Sequence, residues 1–474
     1  MIPRSRAESK IVGPATRSCL LVGSVFAGVF SGPAWASSKR GELDWDDVAT
    51  ELRRNDVARK PSSEPPGVVE PESEEDLGAE VVPAAFDEPE SPEPSSVTES
   101  LVRTLSFGGA YLQQASISAL HDGQDFSFGY SPPGLVDLFL NATPTEHVRG
   151  YLLLRLGFDP SAESEELLQL MVDQLSLRFD LDHQVFFTLG RQQVIWGPGM
   201  IWTPTDFLRP PNLTPLEAFD LRTGTDMFRV QVPLSGIRTN VTAAAFMVRT
   251  AEVPEAEEET RFGAAFRVEV ELPRGELGAS AVFLQQRRPR YGLDLAIGLG
   301  EVDFYSAIAM QRDTERRLWR RTEAGFEPRA LSSPAFQVMA GATTQWRLWD
   351  VYQLGLRLEG FWNELGYVDS EELTWLVANG DHEPLRSGRL YGVTQLSLTR
   401  RSAHEPTLQV SIMGNILQRS FFTRVEASTV VVMAFRLGVF FEAPIGPAGS
   451  EFRFQTDSGA ISAARLGAYG RVQF

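Results

Sequence analysis

The sequence predicts an all-β protein, a transmembrane antiparallel β-barrel of 16-18 strands preceded by a disordered acidic, proline-rich segment. From about Leu101 to Phe474, short segments alternate apolar and polar residues, as strands do that face lipid on one side and a water-filled lumen on the other. No stretch approaches the roughly 20 uninterrupted apolar residues of a spanning helix. Only helices and closed barrels satisfy the backbone in hydrocarbon, so membrane embedding here requires a barrel. A soluble β-sandwich is the alternative that alternation alone leaves open.

The N-terminus predicts export. It carries four basic residues, Arg4, Arg6, Lys10 and Arg17. The apolar run from Cys19 to Phe30 and the small-residue site Ala34-Trp35-Ala36 follow them, which is typical of a cleaved secretory signal peptide over 1–36. The run is short for a spanning anchor. Cys19 is the only cysteine of the chain, so the mature protein is expected to lack disulfides.

Two further segments precede the barrel, which we assign to 101–474. Residues 37–60 show apolar residues at helical spacing and form a short amphipathic helix candidate. Residues 61–100 hold twelve acidic residues, eight prolines and no basic residue, a composition that favours a disordered linker. Both segments are either a solvated tail without a role, or a periplasmic tether or partner-binding helix. Without a basic stripe to replace phosphate counterions, and with a net charge of −18, nucleic-acid binding is disfavoured.

Eighteen strands are predicted, at 103–115, 135–142, 147–158, 170–181, 184–191, 224–233, 237–249, 261–272, 276–287, 291–298, 301–313, 335–348, 351–363, 388–401, 407–417, 429–441, 450–457 and 462–474. Weak segments at 135–142, 291–298 and 450–457 leave sixteen open. The long connections are 192–223, 250–260, 314–334, 364–387 and 418–428, and the short ones are 182–183, 234–236, 273–275, 299–300 and 349–350. Short periplasmic turns opposite long outer loops are typical of outer-membrane barrels.

The last strand carries apolar or small residues at every second position, namely Leu466, Ala468, Gly470, Val472 and Phe474. This pattern resembles the C-terminal signal by which Gram-negative bacteria insert outer-membrane barrels. The resemblance implies an outer-membrane location and recognition of the Phe474 end by the barrel-assembly machinery. Outer-membrane lipid and lipopolysaccharide are then the expected surroundings. Trp346, Trp349, Tyr352 and Trp362 lie near strand ends, where aromatic rings suit a membrane interface.

The segment after predicted strand 184–191 is the most distinctive. Its motif residues are Arg191, Gln192, Trp196, Gly197, Gly199 and Asp206. They resemble a GRQ...WG...PxD pattern of poorly characterised families of porin-like outer-membrane barrels. Glycines around a proline permit a tight reversal, and an aspartate after Pro204-Thr205 suits an Asx turn or a helix cap. We hypothesise that loop 192–223 enters the lumen as a constriction, with Arg191 and Asp206 as candidate solute contacts. Packing of this loop on the rim is the alternative.

Charges of both signs are predicted to line the lumen, at Arg155, Arg178, Asp180, Arg229, Arg267, Glu269, Glu271, Arg357, Glu359 and Arg436. They either set up a transverse field that orients polar solutes or pair across strands and fill the interior. Neither sign dominates, so no ion selectivity is predicted. The acidic run Glu252, Glu255, Glu257, Glu258 and Glu259 in an outer loop either collects divalent cations that bridge lipopolysaccharide or is simply solvated.

No catalytic residue, cofactor or metal site is predicted. The five histidines are scattered, at His121, His147, His183, His382 and His404, and no GxSxG, HExxH or paired metal-ligand spacing is present. The predicted function is a porin-like channel for passive or weakly selective diffusion of small hydrophilic solutes. A structural or interaction barrel that displays surface loops and a periplasmic tail is the alternative, and an outer-membrane hydrolase is the third class.

Overall fold

The computed structural model describes residues 104–121, 125–161, 167–212, 215–217, 222–250, 259–314, 316–432, 434–454 and 461–474. The predicted signal peptide 1–36, helix candidate 37–60 and linker 61–100 lie outside these residues, as do the acidic side chains of 252–259. Within the described residues, no helix is long and apolar enough to cross a membrane.

The described chain forms 21 strands and one α-helix. The first twelve strands are β1 Leu105–His121, β2 Phe126–Ser131, β3 Gly134–Thr145, β4 Val148–Phe158, β5 Leu168–Leu181, β6 Val185–Gln192, β7 Thr225–Leu234, β8 Thr239–Thr250, β9 Glu259–Leu272, β10 Gly275–Leu284, β11 Arg290–Leu299 and β12 Val302–Gln311. The others are β13 Trp319–Thr322, β14 Gly325–Pro328, β15 Ala335–Leu348, β16 Tyr352–Asn363, helix α1 Ser370–Ala378, β17 Leu390–Arg400, β18 Thr407–Asn415, β19 Ser420–Val432, β20 Phe435–Ile445 and β21 Ile461–Gln473.

Eighteen of these strands close into one antiparallel barrel, which confirms the predicted fold class. Each barrel strand pairs with its neighbours along the chain, and β21 pairs with β1 from Ala110↔Gln473 to His121↔Ile461 to complete the ring. Strand β2 pairs only with the far half of β1, and β13 and β14 form a separate two-stranded hairpin inside a connection. A closed ring leaves no unpaired edge, because every barrel strand has a partner on both sides.

The alternation in sequence becomes two faces of the wall. On β20, Leu437, Val439 and Phe441 are exposed, whereas Phe440 and Glu442, which alternate with them, are buried. Large exposed apolar residues recur at outward positions around the barrel, while most charged strand residues point inward. An apolar outer surface with a polar interior is the arrangement of a barrel that spans a bilayer.

The two ends of the barrel differ. The backbone of Gly109 and Phe474 exchanges two hydrogen bonds, so both chain ends of the barrel lie at one end. We call it the turn end, because its connections are short: 146–147, 182–184, 235–238, 273–274, 300–301, 349–351, 401–406 and 433–434. The opposite end, the loop end, carries the long connections 193–224, 312–334, 364–389 and 446–460.

Two predicted strands near the C-terminus are wrong, although the total of eighteen is right. Predicted loop 418–428 lies mostly in β19, predicted strand 429–441 spans the end of β19, a turn and most of β20, and 450–454 is not a strand. The cause is the junction of β19 and β20, where the register shifts between Val430 and Val432 and the alternation breaks. A bulge places successive valines out of phase, so two strands joined by a tight turn read as one.

Candidate functional site

The connection between β6 and β7, residues 193–224, runs into the barrel, and we call it the inner loop. Its motif glycines serve its folding. Gly197 has a φ of +92°, a conformation that L-residues rarely adopt, and a Cβ there would lie 2.4 Å from Oγ1 of Thr205. A Cβ on Gly199 would lie 1.9 Å from the backbone oxygen of Trp202. Glycine suits the positive φ at position 197 and the close backbone approach at position 199, so the motif sets the shape of the loop.

Glu359 on β16 fixes the tip of the inner loop to the wall. Its carboxylate accepts hydrogen bonds from the backbone N–H groups of Met200 at 3.0 Å, Ile201 at 3.1 Å and Trp202 at 2.7 Å. The hydroxyl of Tyr305 on β12 donates a fourth at 3.1 Å. Each hydrogen bond to a charged group is worth about 1.5–3 kcal/mol when buried, so the set holds the loop firmly.

This attachment spans the interior. Eight successive pairings lead around the wall from β6, where the inner loop starts, to β16, where Glu359 lies, in a ring of eighteen strands. The two strands are therefore almost diametrically opposite. A chain segment that leaves one wall and is bonded to the opposite wall crosses the lumen.

Aromatic packing reinforces the contact on the far wall. The Trp202 ring stacks on Phe361 with centroids 5.7 Å apart, and it lies 5.9 Å from Tyr391. Its Nε1–H donates to the backbone oxygen of Leu385 in the 364–389 connection at 2.9 Å. All four residues are buried in one apolar cluster inside the barrel, together with Met339 on β15. The apolar face of the indole is thus packed against other rings, and its N–H has a hydrogen-bond acceptor.

The first part of the inner loop packs on the wall from which it starts. Val194, Trp196 and Leu208 are buried against apolar inward residues of β7, β8, β9 and β10. The Arg267 guanidinium lies 5.8 Å from the centre of the Trp196 ring, a cation–π contact. Gln192, at the end of β6, is also buried, and its amide lies 3.4 Å from the backbone oxygens of Thr188 and Met227.

A third attachment lies farther along the inner loop. Glu217 accepts a hydrogen bond from Arg465 on β21 at 2.9 Å. Arg465 also reaches Glu442 on β20, which pairs with the buried Arg424 on β19. The inner loop therefore contacts three sectors of the wall, around β7–β10, β12–β17 and β20–β21.

The two predicted solute contacts are placed differently from the hypothesis. Asp206 is buried within the inner loop and pairs with Arg209 at 3.5 Å, and burial raises the pKa of its carboxyl to about 6. Arg191 forms two hydrogen bonds with Asp226 on β7, at 2.9 and 2.7 Å. The register puts Arg191 on the same face as Leu189 and Phe228, which are exposed on the outside of the wall. Neither residue faces an open lumen, because Asp206 is paired with Arg209 inside the loop and Arg191 is paired with Asp226 on the outer face.

The charged residues predicted to face the lumen do point inward, and most are paired. Arg155 bonds Asp137 at 2.8 Å and lies 3.5 Å from Asp173. Arg267 bonds both oxygens of Asp294, at 2.8 and 2.9 Å, and one oxygen of Glu269 at 2.6 Å.

The remaining members of that set lie nearer the turn end. Arg178 lies over the Phe186 ring at 4.7 Å, and Arg357 donates to Gln395 at 2.9 Å. Arg229 is opposite Thr188 and Ala244 on the inward face, and Arg436 lies 3.6 Å from Glu405. Cross-strand pairing therefore accounts for much of the interior charge, while the half-exposed arginines keep the turn-end half of the lumen hydrophilic.

At the loop end, residues 446–454 of the connection after β20 are bonded to two wall strands and to the 364–389 connection. Glu451, in the 446–460 connection, accepts hydrogen bonds from the Tyr391 hydroxyl at 2.8 Å, Nδ2 of Asn415 at 2.9 Å and the backbone N–H of Leu385 at 2.9 Å. Burial raises the pKa of the Glu451 carboxyl to about 6. Glu451 was missed from sequence because it lay in predicted strand 450–457, which is not a strand over its described residues, and only its three partners distinguish it.

At the turn end, the predicted insertion signal lies on the outer surface. Leu466 is exposed on the outward face of β21, Phe474 is exposed directly after the strand, and a Cβ on Gly109 would touch the Phe474 ring. The Trp349 ring is exposed in the turn after β15 and lies edge-on to Tyr352.

No family model matches the chain, and no curated protein matches it in sequence. Similar solved structures include Wzi of Escherichia coli, described as an outer-membrane protein involved in group 1 capsule assembly and a carbohydrate-binding β-barrel, at 13% identity and a TM-score of 0.48, covering 80% of this chain and 86% of that one. OccK11 (OpdR) of Pseudomonas aeruginosa has 10% identity and a TM-score of 0.45, covering 78% and 96%. OmpF of Salmonella typhi, solved with daunomycin, has 7% identity and a TM-score of 0.42, covering 78% and 97%. At such low identities and TM-scores, these likenesses assign neither a family nor a function.

Proposed function

We propose that the chain is an outer-membrane channel for passive or weakly selective diffusion of small hydrophilic solutes, and that the inner loop is its constriction. The observation that carries the proposal is the attachment of the loop tip, through Met200, Ile201 and Trp202, to Glu359 on the opposite wall. A segment bonded at both walls divides the lumen and sets the width of any path beside it. A loop that merely packed on the rim would not reach β16.

In the proposed channel, solutes pass beside the inner loop and then through the half of the lumen that lies between this loop and the turn end. Its wall carries inward arginines such as Arg178, Arg229 and Arg357 and carboxylates such as Glu269. Polar and charged side chains keep such a lumen hydrated, and opposite charges on different walls orient dipolar solutes. Both signs are present, which agrees with weak selectivity rather than strong preference for one ion.

The location and partners belong to the same proposal. The apolar outer face supports membrane embedding, and the exposed Phe474 at the end of β21 supports recognition by the barrel-assembly machinery. Outer-membrane lipid and lipopolysaccharide would surround the barrel, and residues 37–100 would meet a periplasmic partner. Fractionation of cells that express the full chain, or a chain without Phe474, tests this. Loss of outer-membrane accumulation without Phe474 is expected, and unchanged accumulation contradicts the role of the signal.

Single-channel recording in planar bilayers tests the constriction. The full chain is compared with a variant lacking 196–211, and the expected result is a larger conductance in the variant. The matched control lacks 320–327 of the β13–β14 hairpin, which belongs to another long connection at the loop end and should leave conductance unchanged. Equal conductance for the full chain and the 196–211 deletion would contradict the proposal that the inner loop is the constriction.

A barrel that acts by interaction is the second candidate, and one observation favours it. The inner loop is packed into apolar clusters on two walls, and Glu451 ties residues 446–454 to Tyr391 and Asn415, so this described part of the loop end presents a fixed surface. If neither the full chain nor the 196–211 deletion conducts ions or passes sugars into liposomes, the channel function is excluded and a barrel that acts by interaction is the better assignment.

A further inference from the structure

Two turns at the turn end bring together three side chains that bind metals in other proteins. His147 lies in the turn between β3 and β4, and His183 lies in the turn between β5 and β6. Pairing of β4 with β5 places Val148 opposite Phe179, so Asp180, the next residue on β5, comes beside His147. Local sequence patterns do not reveal this group, because 33 residues separate His147 from Asp180.

The three side chains already converge. Nδ1 of His147 lies 2.8 Å from Oδ1 of Asp180, and Nδ1 of His183 lies 3.2 Å from the same oxygen. One ligand atom from each residue falls within 4.8 Å of the others. In a tetrahedral zinc site with bonds of about 2.0–2.1 Å, ligand atoms lie about 3.3 Å apart. Small side-chain rotations therefore convert the present arrangement into a coordination geometry.

The backbone holds two of the ligands in place. The His183 N–H donates to Oδ1 of Asp180 at 2.9 Å, and the Asp180 N–H donates to the His147 backbone oxygen at 3.1 Å. His183 has a φ of +54°, which follows from the tight turn and turns its ring back over the His147 ring, with centroids 4.8 Å apart. Little conformational freedom would be lost on binding, which favours affinity.

We propose that His147, Asp180 and His183 form a binding site for a divalent transition-metal ion, with zinc as the preferred ion. Two imidazoles and one carboxylate suit zinc and its neighbours, whereas Mg²⁺ and Ca²⁺ prefer all-oxygen sites. The ion takes the position of the hydrogen atom between Nδ1 of His147 and Oδ1 of Asp180, and the neutral imidazole then carries its proton on Nε2. The His183 side chain is 62% exposed, so the ion can enter from water and keep a water ligand.

The surrounding charges are of both signs. Oε1 of Glu146 lies 3.6 Å from Nε2 of His147, and Asp182 lies in the same turn as His183. These carboxylates offset the cross-strand pair of Arg149 and Arg178 on the inward face nearby. The bound ion would cross-link two adjacent turns and stiffen this part of the turn end.

Zinc titration of the full chain, purified in detergent without a polyhistidine tag, tests the site. Competition against a chromophoric chelator gives the affinity for ZnCl₂, and CoCl₂ reports the geometry through its d–d absorption. One zinc per chain and a tetrahedral cobalt spectrum are expected, with no competition from an excess of MgCl₂.

Variants identify the ligands. His147→Ala and His183→Ala should each weaken zinc binding at least about tenfold. His404→Ala is the matched control, because His404 lies in another turn of the same end and its ring bonds the backbone oxygen of Val430 in the described structure. If His147→Ala does not fold, His183→Ala decides, since its exposed ring contributes little to folding. Absence of stoichiometric zinc binding, or equal affinity in wild type and His183→Ala, would overturn the proposal.

Discussion

The Glu359 carboxylate on β16 accepts the backbone N–H of Trp202 at 2.7 Å, across a sequence separation of 157 residues. Neither residue could position the inner loop alone. Glu359 is buried and would be costly without donors, and the loop tip has three N–H groups that need an acceptor inside the barrel. The contact satisfies both requirements at once.

Replacement of Glu359 by glutamine should release the loop tip. The neutral amide has one acceptor oxygen where the carboxylate has two, so it cannot accept hydrogen bonds from all three N–H groups of Met200, Ile201 and Trp202 as well as the carboxylate does. If the substitution lowers the free energy of opening of the loop tip by about 1.4 kcal/mol, the hydrogen-exchange rate of these backbone amides rises about tenfold. Hydrogen exchange read by mass spectrometry at 200–202 measures it. Glu271→Gln, on the inward face of β9, is the control, and equal protection in wild type and Glu359→Gln would contradict the role of Glu359.

Trp202 should contribute more through packing than through its hydrogen bond. Trp202→Ala leaves a hole beside Phe361 and Tyr391 and should cost about 3–5 kcal/mol. Trp202→Phe keeps an aromatic ring and loses mainly the bond to Leu385, at about 1 kcal/mol. Urea unfolding in lipid vesicles compares the two. Equal free energies of unfolding for both variants would show that packing is not the larger part.

Gly199→Ala should disrupt the inner loop, because the added Cβ meets the backbone of the loop and one wall side chain. The added Cβ would lie 1.9 Å from the Trp202 backbone oxygen and 2.7 Å from the Met339 side chain. Because one obstacle is backbone, the loop must move. Protease cleavage within 193–212 should therefore become faster than in wild type. Gly236→Ala is the control, since no atom lies within 4 Å of a Cβ there. Unchanged cleavage in Gly199→Ala would mean that the loop adjusts without opening.

The closed state, in which Glu451 attaches residues 446–454 to Leu385, Tyr391 and Asn415, should become less stable as the pH rises. Burial raises the pKa of Glu451 to about 6 in the closed state, against an ordinary value of 4.5. The closed state thus binds more protons than the open state between these values. Its stability is full below about pH 4.5 and falls by about 2 kcal/mol as the pH rises through 6.

Hydrogen exchange at 446–454 from pH 4.5 to 7, corrected for intrinsic rates, tests the pH effect. Protection should decline across this range in wild type. Glu451→Gln cannot titrate, so its protection should be flat with pH. A wild-type profile as flat as that of Glu451→Gln would show that Glu451 does not control the closure.

The strands follow from local pattern. In β9, Phe262, Phe266 and Val268 lie outside while Arg267 and Glu269 lie inside, as alternation along the chain predicts. The same logic failed at β19 and β20, where the register shift at Val430–Val432 removes the period that the prediction needs. Alternation of apolar and polar residues was sufficient to predict a barrel strand wherever it continued without a break.

The candidate site divides in the same way. Sequence singled out the glycines that shape the inner loop and placed Glu359 on the inward face, but it assigned solute contacts to Arg191 and Asp206, which pair with Asp226 and Arg209 instead. It also missed the meeting of His147 with His183.

By itself the sequence determined the barrel, sixteen of its eighteen strands with the faces they present, and the end at which long connections lie, because a period of two and a turn are local properties. Only the tertiary structure decided where the inner loop goes. Its position depends on contacts between walls that the chain brings together after closure, such as Trp202 with Glu359 and Glu217 with Arg465. Residue types at those positions carry no local signal of their partners, since the partners are defined by the geometry of the closed ring.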